Sequence, residues 1–186
     1  MSNICSFLPL QFFESGQLLC LESDDCAGLI LQLPHYAVFA GIGAAVGGSF
    51  DIKCVSVYTI GDVRFRAPDT RAERQQAYQK RMDYIKKQQK ITYLLAPLQR
   101  AYLMIRQLSF WLHPEEVLEI PDELIGQLAG VLPKTVAMAR QQFCQNQRYH
   151  GSHEQGDRDF VGQHQLQEEM PQVIQVANLT AASIYQ

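Results

Sequence analysis

Residues 120–143 constrain the fold of this chain most, because their apolar pattern predicts two short helices joined by a tight turn. Gly130 stands where such a turn needs a left-handed backbone, and Pro133 suits the first turn of the second helix. The apolar residues that recur at helical spacing are Leu124, Ile125 and Leu128 in the first helix and Val136, Ala139 and Phe143 in the second. The pattern therefore predicts a helix-turn-helix, a motif whose second helix enters the major groove of DNA.

Two segments follow the pattern of a known protein family. Ile125-Gly-Gln-Leu-Ala-Gly-Val, followed by Thr135-Val136, falls on I-G-x-x-x-G…x-T-V. Residues 93–105 place Arg100 and Ala101 as an Arg-Ala step before an apolar run. These segments resemble the DNA-binding domain and hinge of the CRP/FNR family of bacterial transcription regulators.

Other parts of the chain are similar to the same family. Residues 173–179 resemble the last strand of its wing, and residues 13–20 and Thr59-Ile-Gly-Asp62 resemble a strand and turn of its cyclic-nucleotide-type β-roll. The resemblance implies an α+β fold with a shortened β-roll over 1–66, a long linker and dimerisation helix over 67–95, and a winged helix-turn-helix DNA-binding domain over 96–186. It implies a homodimer that binds double-stranded DNA, with RNA polymerase or another regulator as a further partner.

Short strands are predicted in the first third of the chain. Runs of β-prone residues separated by Gly, Asp, Ser and Pro are found at 17–22, 29–33, 35–39 and 52–59. The glycines of residues 41–47 match a dinucleotide-binding loop superficially, but a strand pattern follows them where a helix would have to meet the phosphate. We therefore predict a hairpin loop there.

A long helix is predicted to begin after Thr70, because Thr70-Arg-Ala-Glu73 has the form of a capping box. It extends to about residue 95, and Pro97 then opens a second helix to about residue 112. The residues that we predict to pair with a twin helix are Ala77, Tyr84, Ile85 and Ile91. Arg81 and Gln88 interrupt this repeat, and a single helix packed on its own β-roll explains it nearly as well.

The residues predicted to face a DNA groove are Pro133, Lys134, Thr135, Met138 and Gln141. Lys134 suits guanine or phosphate and Gln141 suits adenine, whereas Met138 offers only apolar contact with a thymine methyl group. Leu132 stands where family members have a capping Ser or Thr. The alternative is a retained fold that no longer reads DNA.

Cyclic nucleotide binding is not expected, and no cofactor is predicted. An anion needs convergent backbone N–H donors and an Arg, but only residues 63–69 separate the Gly-Asp turn from the long helix, and no G-E-x-x-L…R-x-A run is present. The prediction is a CRP/FNR-type regulator without the family's usual effector.

The charge distribution supports a second hypothesis. Eleven of the 16 Lys and Arg residues lie between Arg64 and Arg106, although the formal net charge is −3. A basic helix of this kind is either a solvated face or the docking surface of an interaction module that binds another regulator.

Neither catalysis nor a metal site is predicted. The five cysteines form an odd set without C-x-x-C spacing, which favours reduced thiols in a cytoplasmic chain. The FNR branch of the family binds an iron–sulfur cluster, but the close-spaced cysteine beside Cys20 and Cys26 is missing. The histidines at 150, 153 and 164 fall, with Cys144, in or beside a Gly- and Gln-rich segment, 145–167, that is predicted as a wing loop. His35 and His113 are predicted to be structural.

The chain is predicted to be cytoplasmic. Residues 1–10 lack the basic region and the cleavage site of a secretory signal. Residues 27–48 are nearly free of charge, but glycines, Pro34 and His35 interrupt them, so paired buried strands are expected there instead of a membrane span.

Overall fold

The computed structural model of the protein describes residues 6–8 and 16–150, and its class is α+β, as predicted. Within those residues two antiparallel sheets have the strand orders β1-β6-β3-β4 and β5-β2-β7. The strands are β1 (Ser6–Leu8), β2 (Leu18–Glu22), β3 (Gly28–Gln32), β4 (Ala37–Gly41), β5 (Ala45–Gly47), β6 (Ser56–Ile60) and β7 (Arg64–Arg66).

The central strand β3 is buried on both faces, because its neighbouring side chains alternate between two cores. Leu29 and Leu31 pack with Leu21 of β2 in one apolar cluster. Ile30 points the other way and packs with the helices. The four-stranded sheet is therefore covered by the second sheet on one side and by helices on the other.

The four predicted strands correspond to β2, β3, β4 and β6, with shifted ends. Three short strands, β1, β5 and β7, were not predicted. The prediction of a hairpin loop over residues 41–47 is wrong. Only residues 42 and 43 of this segment form a turn, and β5 follows them and pairs with β2. Gly41 is needed at the end of β4, because a Cβ atom there would lie 2.4 Å from the Tyr84 hydroxyl oxygen.

Five helices follow the strands within the described residues. They are α1 (Arg71–Thr92), α2 (Pro97–Trp111), α3 (Pro114–Glu119), α4 (Asp122–Ala129) and α5 (Pro133–His150). The capping box of α1 is confirmed, because Glu73 N–H donates to Thr70 Oγ1 (3.1 Å) and Thr70 N–H donates to Glu73 Oε2 (3.2 Å). Helix α2 is also confirmed, whereas α3 was not predicted.

Helix α5 is longer than expected. Residues 145–150 are helical, although the sequence pattern predicts that a wing loop begins at 145. The rest of that loop and the predicted wing strand at 173–179 lie outside the described residues, as do His153 and His164.

The face of α1 that was predicted to meet a twin helix is covered within the chain. Ala77 packs with Cys20 and Ala45, and Ile91 joins the core of the helices. The ring of Tyr84 lies 5.5 Å from that of Phe39 and 5.0 Å from that of Trp111. We call this the inner face of α1, and its members are Ala77, Arg81, Tyr84, Gln88 and Ile91.

The two polar residues of the inner face are also buried. Arg81 is 5% exposed, and its Nη2 donates to Asp51 Oδ1 at 3.0 Å. Asp51 Oδ2 accepts the N–H of Gly47 at 2.8 Å. Burial raises the pKa of the Asp51 carboxyl, although Arg81 opposes that shift. The residues that seemed to interrupt the repeat therefore belong to the same packed surface.

The chain up to Phe143 belongs to one compact unit, and a second unit begins at Cys144. The predicted boundaries at residues 66 and 95 both fall inside the first unit, on either side of α1. In the described part of the chain, no helix combines the length and the apolar character that crossing a membrane requires.

Candidate nucleic-acid interface

The turn between α4 and α5 has the backbone that the sequence predicts. Gly130 has a φ of 64° and a ψ of 44°, the left-handed conformation that glycine adopts at little cost. Its N–H and that of Val131 both point to the carbonyl oxygen of Gly126, and the second bond measures 2.9 Å. The main chain then enters α5 at Pro133, so the two helices are separated only by residues 130–132.

Gly126 is required by the close approach of this turn to α4. A Cβ atom at that position would lie 2.8 Å from the carbonyl oxygen of Val131, closer than real Cβ atoms come to a backbone oxygen. The I-G-x-x-x-G pattern therefore has a packing explanation in this chain. Its first glycine makes room for the turn, and Gly130 adopts the positive φ.

The buried faces of α4 and α5 contain the residues that periodicity predicts. All six are buried, and they are Leu124, Ile125, Leu128, Val136, Ala139 and Phe143. The ring of Phe143 lies 6.0 Å from that of Tyr102 on α2, in an edge-to-face arrangement. Three helices therefore share the core beneath the turn.

The predicted DNA-contacting residues lie on the opposite side of α5. Pro133, Lys134, Met138 and Gln141 are exposed, and Thr135 is half-buried. Lys134, Met138 and Gln141 are spaced by four and three residues, so their side chains share one face of the helix. We call the five residues the outer face of α5. Among the described residues, none covers it, and Met138 is 50% exposed.

Arg140 fixes the direction of α5, and sequence reasoning missed it. Its Nε donates to Asp122 Oδ1 at 2.6 Å, and its Nη1 donates to the carbonyl oxygen of Val117 at 3.0 Å. Its Nη2 donates to the carbonyl oxygen of Ile120. These carbonyls lie at the end of the short helix α3, where no intrahelical N–H is available to them. Arg140 is therefore used within the chain and is not free to bind phosphate.

Two further side chains attach the turn to the rest of the molecule. Arg100, the residue of the Arg-Ala step, donates through Nη2 to the carbonyl oxygen of Gly130 at 3.0 Å. Gln88, which is buried, donates through Nε2 to the carbonyl oxygens of Leu128 (3.0 Å) and Ala37 (2.8 Å). The α4–α5 unit is thus held by hydrogen bonds to α1 and α2, and Gln88 of α1 also bonds strand β4.

The cations of α5 and α1 are distributed unevenly. Lys134 is the positive residue of the outer face of α5. The exposed lysines of α1 include Lys86, Lys87 and Lys90, and Lys87 Nζ lies 6.0 Å from the centre of the Trp111 ring. Arg74 of α1 donates to main-chain carbonyls at the start of its own helix.

A shallow cleft of about 380 Å³ lies between β2, β7 and α1. Its lining includes Arg64 and Arg66, but each of these is paired with an acidic residue of the β2 end, Asp24 and Glu22 respectively. Paired arginines are poor receptors for a phosphate, because the guanidinium groups are already bonded to carboxylates.

No family model matches the chain, and no significantly similar protein is found among curated sequences or solved structures.

Proposed function

We propose that the protein is a sequence-specific DNA-binding transcription regulator and that the outer face of α5 reads the major groove. The observation that carries this proposal is the contrast between the two sides of α5. Its inner side is packed and clamped by Arg140, while Lys134, Met138 and Gln141 stand exposed on the other side. A recognition helix needs both properties, a fixed direction and an uncovered face.

The chemistry of the outer face suits mixed base contacts. Lys134 can bond guanine or a phosphate, Gln141 can bond adenine, and Met138 can pack against a thymine methyl group. Thr135, near the start of the helix, can bond a phosphate. The fold proposed for this domain is a winged helix-turn-helix of CRP/FNR type, with its wing in the residues beyond α5.

We infer that the regulator acts as a homodimer through a second face of α1. Tyr78, Met82 and Ile85 are spaced by four and three residues and lie beside the inner face; Met82 is 41% exposed and the other two are half-buried. The ring of Phe50 lies 5.1 Å from that of Tyr78 and extends this apolar strip. Ile85 is the residue of the predicted dimer set that lies on it. A two-fold dimer would bind a two-fold-symmetric site.

Selection of bound fragments from random DNA tests the proposal. We expect an enriched sequence with two related half-sites, and binding to it that weakens steeply between about 50 and 200 mM salt as phosphate contacts release counterions. An unenriched pool, or binding that is independent of sequence, would reject groove reading.

The competing proposal is an interaction module that binds another regulator or RNA polymerase through α1. The observation in its favour is the exposure of Lys86, Lys87 and Lys90. The competing proposal predicts that the selection from random DNA enriches no sequence and that substitution of these lysines abolishes partner binding.

A further inference from the structure

Three different metal-ligating side chains meet where the β2–β3 loop contacts the start of α3. His113 Nε2 lies 3.0 Å from Asp25 Oδ1, although the two residues are 88 positions apart in the chain. Together with the thiol of Cys26, one ligand atom from each residue lies within 4.8 Å of the others. Imidazole nitrogen, thiol sulfur and carboxylate oxygen thus converge at one place.

The main chain holds these groups in position. The N–H of Cys26 donates to Asp25 Oδ1 at 2.7 Å, and the N–H of Asp25 donates to Ser23 Oγ at 3.3 Å. Gly61 packs beneath the loop, because a Cβ atom there would lie 2.8 Å from the carbonyl oxygen of Cys26. On the other side, His113 is the N-cap of α3 and precedes Pro114, whose ring restricts the backbone of His113.

The acidic residues that precede Asp25, Glu22 at the end of β2 and Asp24 in the loop, are already paired with arginines, whereas Asp25 is not. Asp24 binds Arg64, and Glu22 binds Arg66 at 2.7 Å. The partner of Asp25 is His113, whose neutral form is a metal ligand.

A fourth group beside the three ligands provides an independent observation. Glu116, in the first turn of α3, is only 6% exposed, and its Oε2 has no hydrogen-bond partner among the described residues. The Glu116 carboxylate lies next to the site, because it accepts the backbone N–H of His113, which leaves Oε2 as its unpartnered oxygen. A buried carboxylate oxygen without a donor is costly, and a metal ion or a metal-bound water would satisfy it.

We propose that Asp25, Cys26 and His113 bind one zinc-type divalent ion, with Glu116 completing the site as a ligand or as the acceptor of a metal-bound water. A set of one sulfur, one nitrogen and one or two oxygens favours Zn²⁺ over Mg²⁺ or Ca²⁺, which prefer oxygen alone. In a tetrahedral zinc site the nitrogen and oxygen ligands are about 3.3 Å apart, given bonds of about 2.0 Å. The 3.0 Å between His113 and Asp25 is close to that spacing.

The ion would connect the sheet to the α4–α5 unit. It would tie the β2–β3 loop to α3, and α3 provides the carbonyl oxygens of Val117 and Leu118 that accept Arg140 of α5. The expected role is therefore structural, a brace for the helix that the proposed function assigns to DNA. The site itself does not depend on that function.

Cobalt substitution of the full-length, reduced and chelator-treated chain is the test. We expect one Co²⁺ per chain, with a thiolate-to-cobalt charge-transfer band that Zn²⁺ abolishes on displacing the cobalt. Cys26→Ser and His113→Ala should each remove the band and weaken zinc binding by roughly 100-fold or more. Zinc should also raise the melting temperature of the wild-type chain, and this rise should be absent from both variants.

Two controls keep the assignment specific. Cys54→Ser removes another half-buried thiol, and a triple variant, Cys144→Ser with His150→Ala and His153→Ala, removes the alternative ligands between residues 144 and 153. Both should keep the band and the zinc-dependent rise. If Cys26→Ser fails to fold, Asp25→Asn provides the second test, since its side chain is 75% exposed. A wild-type chain without a thiolate band, or a band lost only in the triple variant, would overturn the proposal.

Discussion

The inner face of α1 and the outer face of α5 both follow a helical repeat, yet the fold uses them in opposite ways. On α1 the polar members are buried with the apolar ones, because Arg81 is paired with Asp51 and Gln88 with main-chain groups. On α5 Lys134 and Met138 remain exposed. A helical repeat therefore identifies a face of a helix, while the partners of its polar members show whether the same chain covers that face.

The largest effect is expected when a charge is introduced into the inner face of α1 and, as a comparison, into its proposed dimer face. Ile91→Asp places a carboxylate in the core of the helices, where nothing pairs with it, and should cost several kcal/mol of folding free energy. Ile85→Asp, on the proposed dimer face, should leave the fold intact and dissociate the dimer. Thermal unfolding and sedimentation together distinguish the two results. A wild-type chain that is monomeric at tens of micromolar would contradict the proposed dimer.

Breaking the buried ion pair of the inner face should be nearly as costly. Arg81→Ala leaves Asp51 buried without its cation, and we expect a loss of about 3 to 5 kcal/mol in the free energy of unfolding. Arg66→Ala, which breaks the exposed pair with Glu22, is the matched control and should cost about 1 kcal/mol or less. Equal effects in urea denaturation would show that the inner face is not the packed region described above.

The two sides of α5 can be compared in the same way. Phe143→Ala should leave a cavity against Tyr102 and cost about 3 to 5 kcal/mol of stability. Met138→Ala, on the exposed side, should change stability by less than about 0.5 kcal/mol. Denaturant titration of both variants measures the contrast, and a large loss from Met138→Ala would mean that the outer face is covered.

Local sequence signals predicted the parts of the fold that depend on neighbours in the chain. Thr70 with Glu73 marked the start of α1, and Gly130 marked the turn, because a cap and a left-handed backbone each require particular residues. Strands of three residues, such as β5 and β7, are too short to show alternation, and the six-residue α3 is too short to show helical periodicity.

The features of the candidate sites that the sequence did not predict depend on contacts between residues far apart in the chain. Arg140 looked like an ordinary helix residue, and its role appears only when the carbonyls of α3 are placed beside it. Asp25 and His113 gave no signal either, since metal-ligand spacing is recognisable in a sequence only when the ligands come in close pairs. The exposed residues of α5 were predictable because they lie opposite a clear apolar face.

Titration of the selected DNA with single variants tests most directly whether the outer face of α5 is the functional surface. Lys134→Ala should weaken binding by about 1 to 3 kcal/mol with an unchanged melting temperature, because it removes a base or phosphate contact from an exposed side chain. Substituting Arg71, Arg74, Lys86 and Lys87 of α1 by Ala should have the smaller effect. If the α1 substitutions abolished binding while Lys134→Ala was silent, the basic helix would be the functional surface and groove reading by α5 would be contradicted.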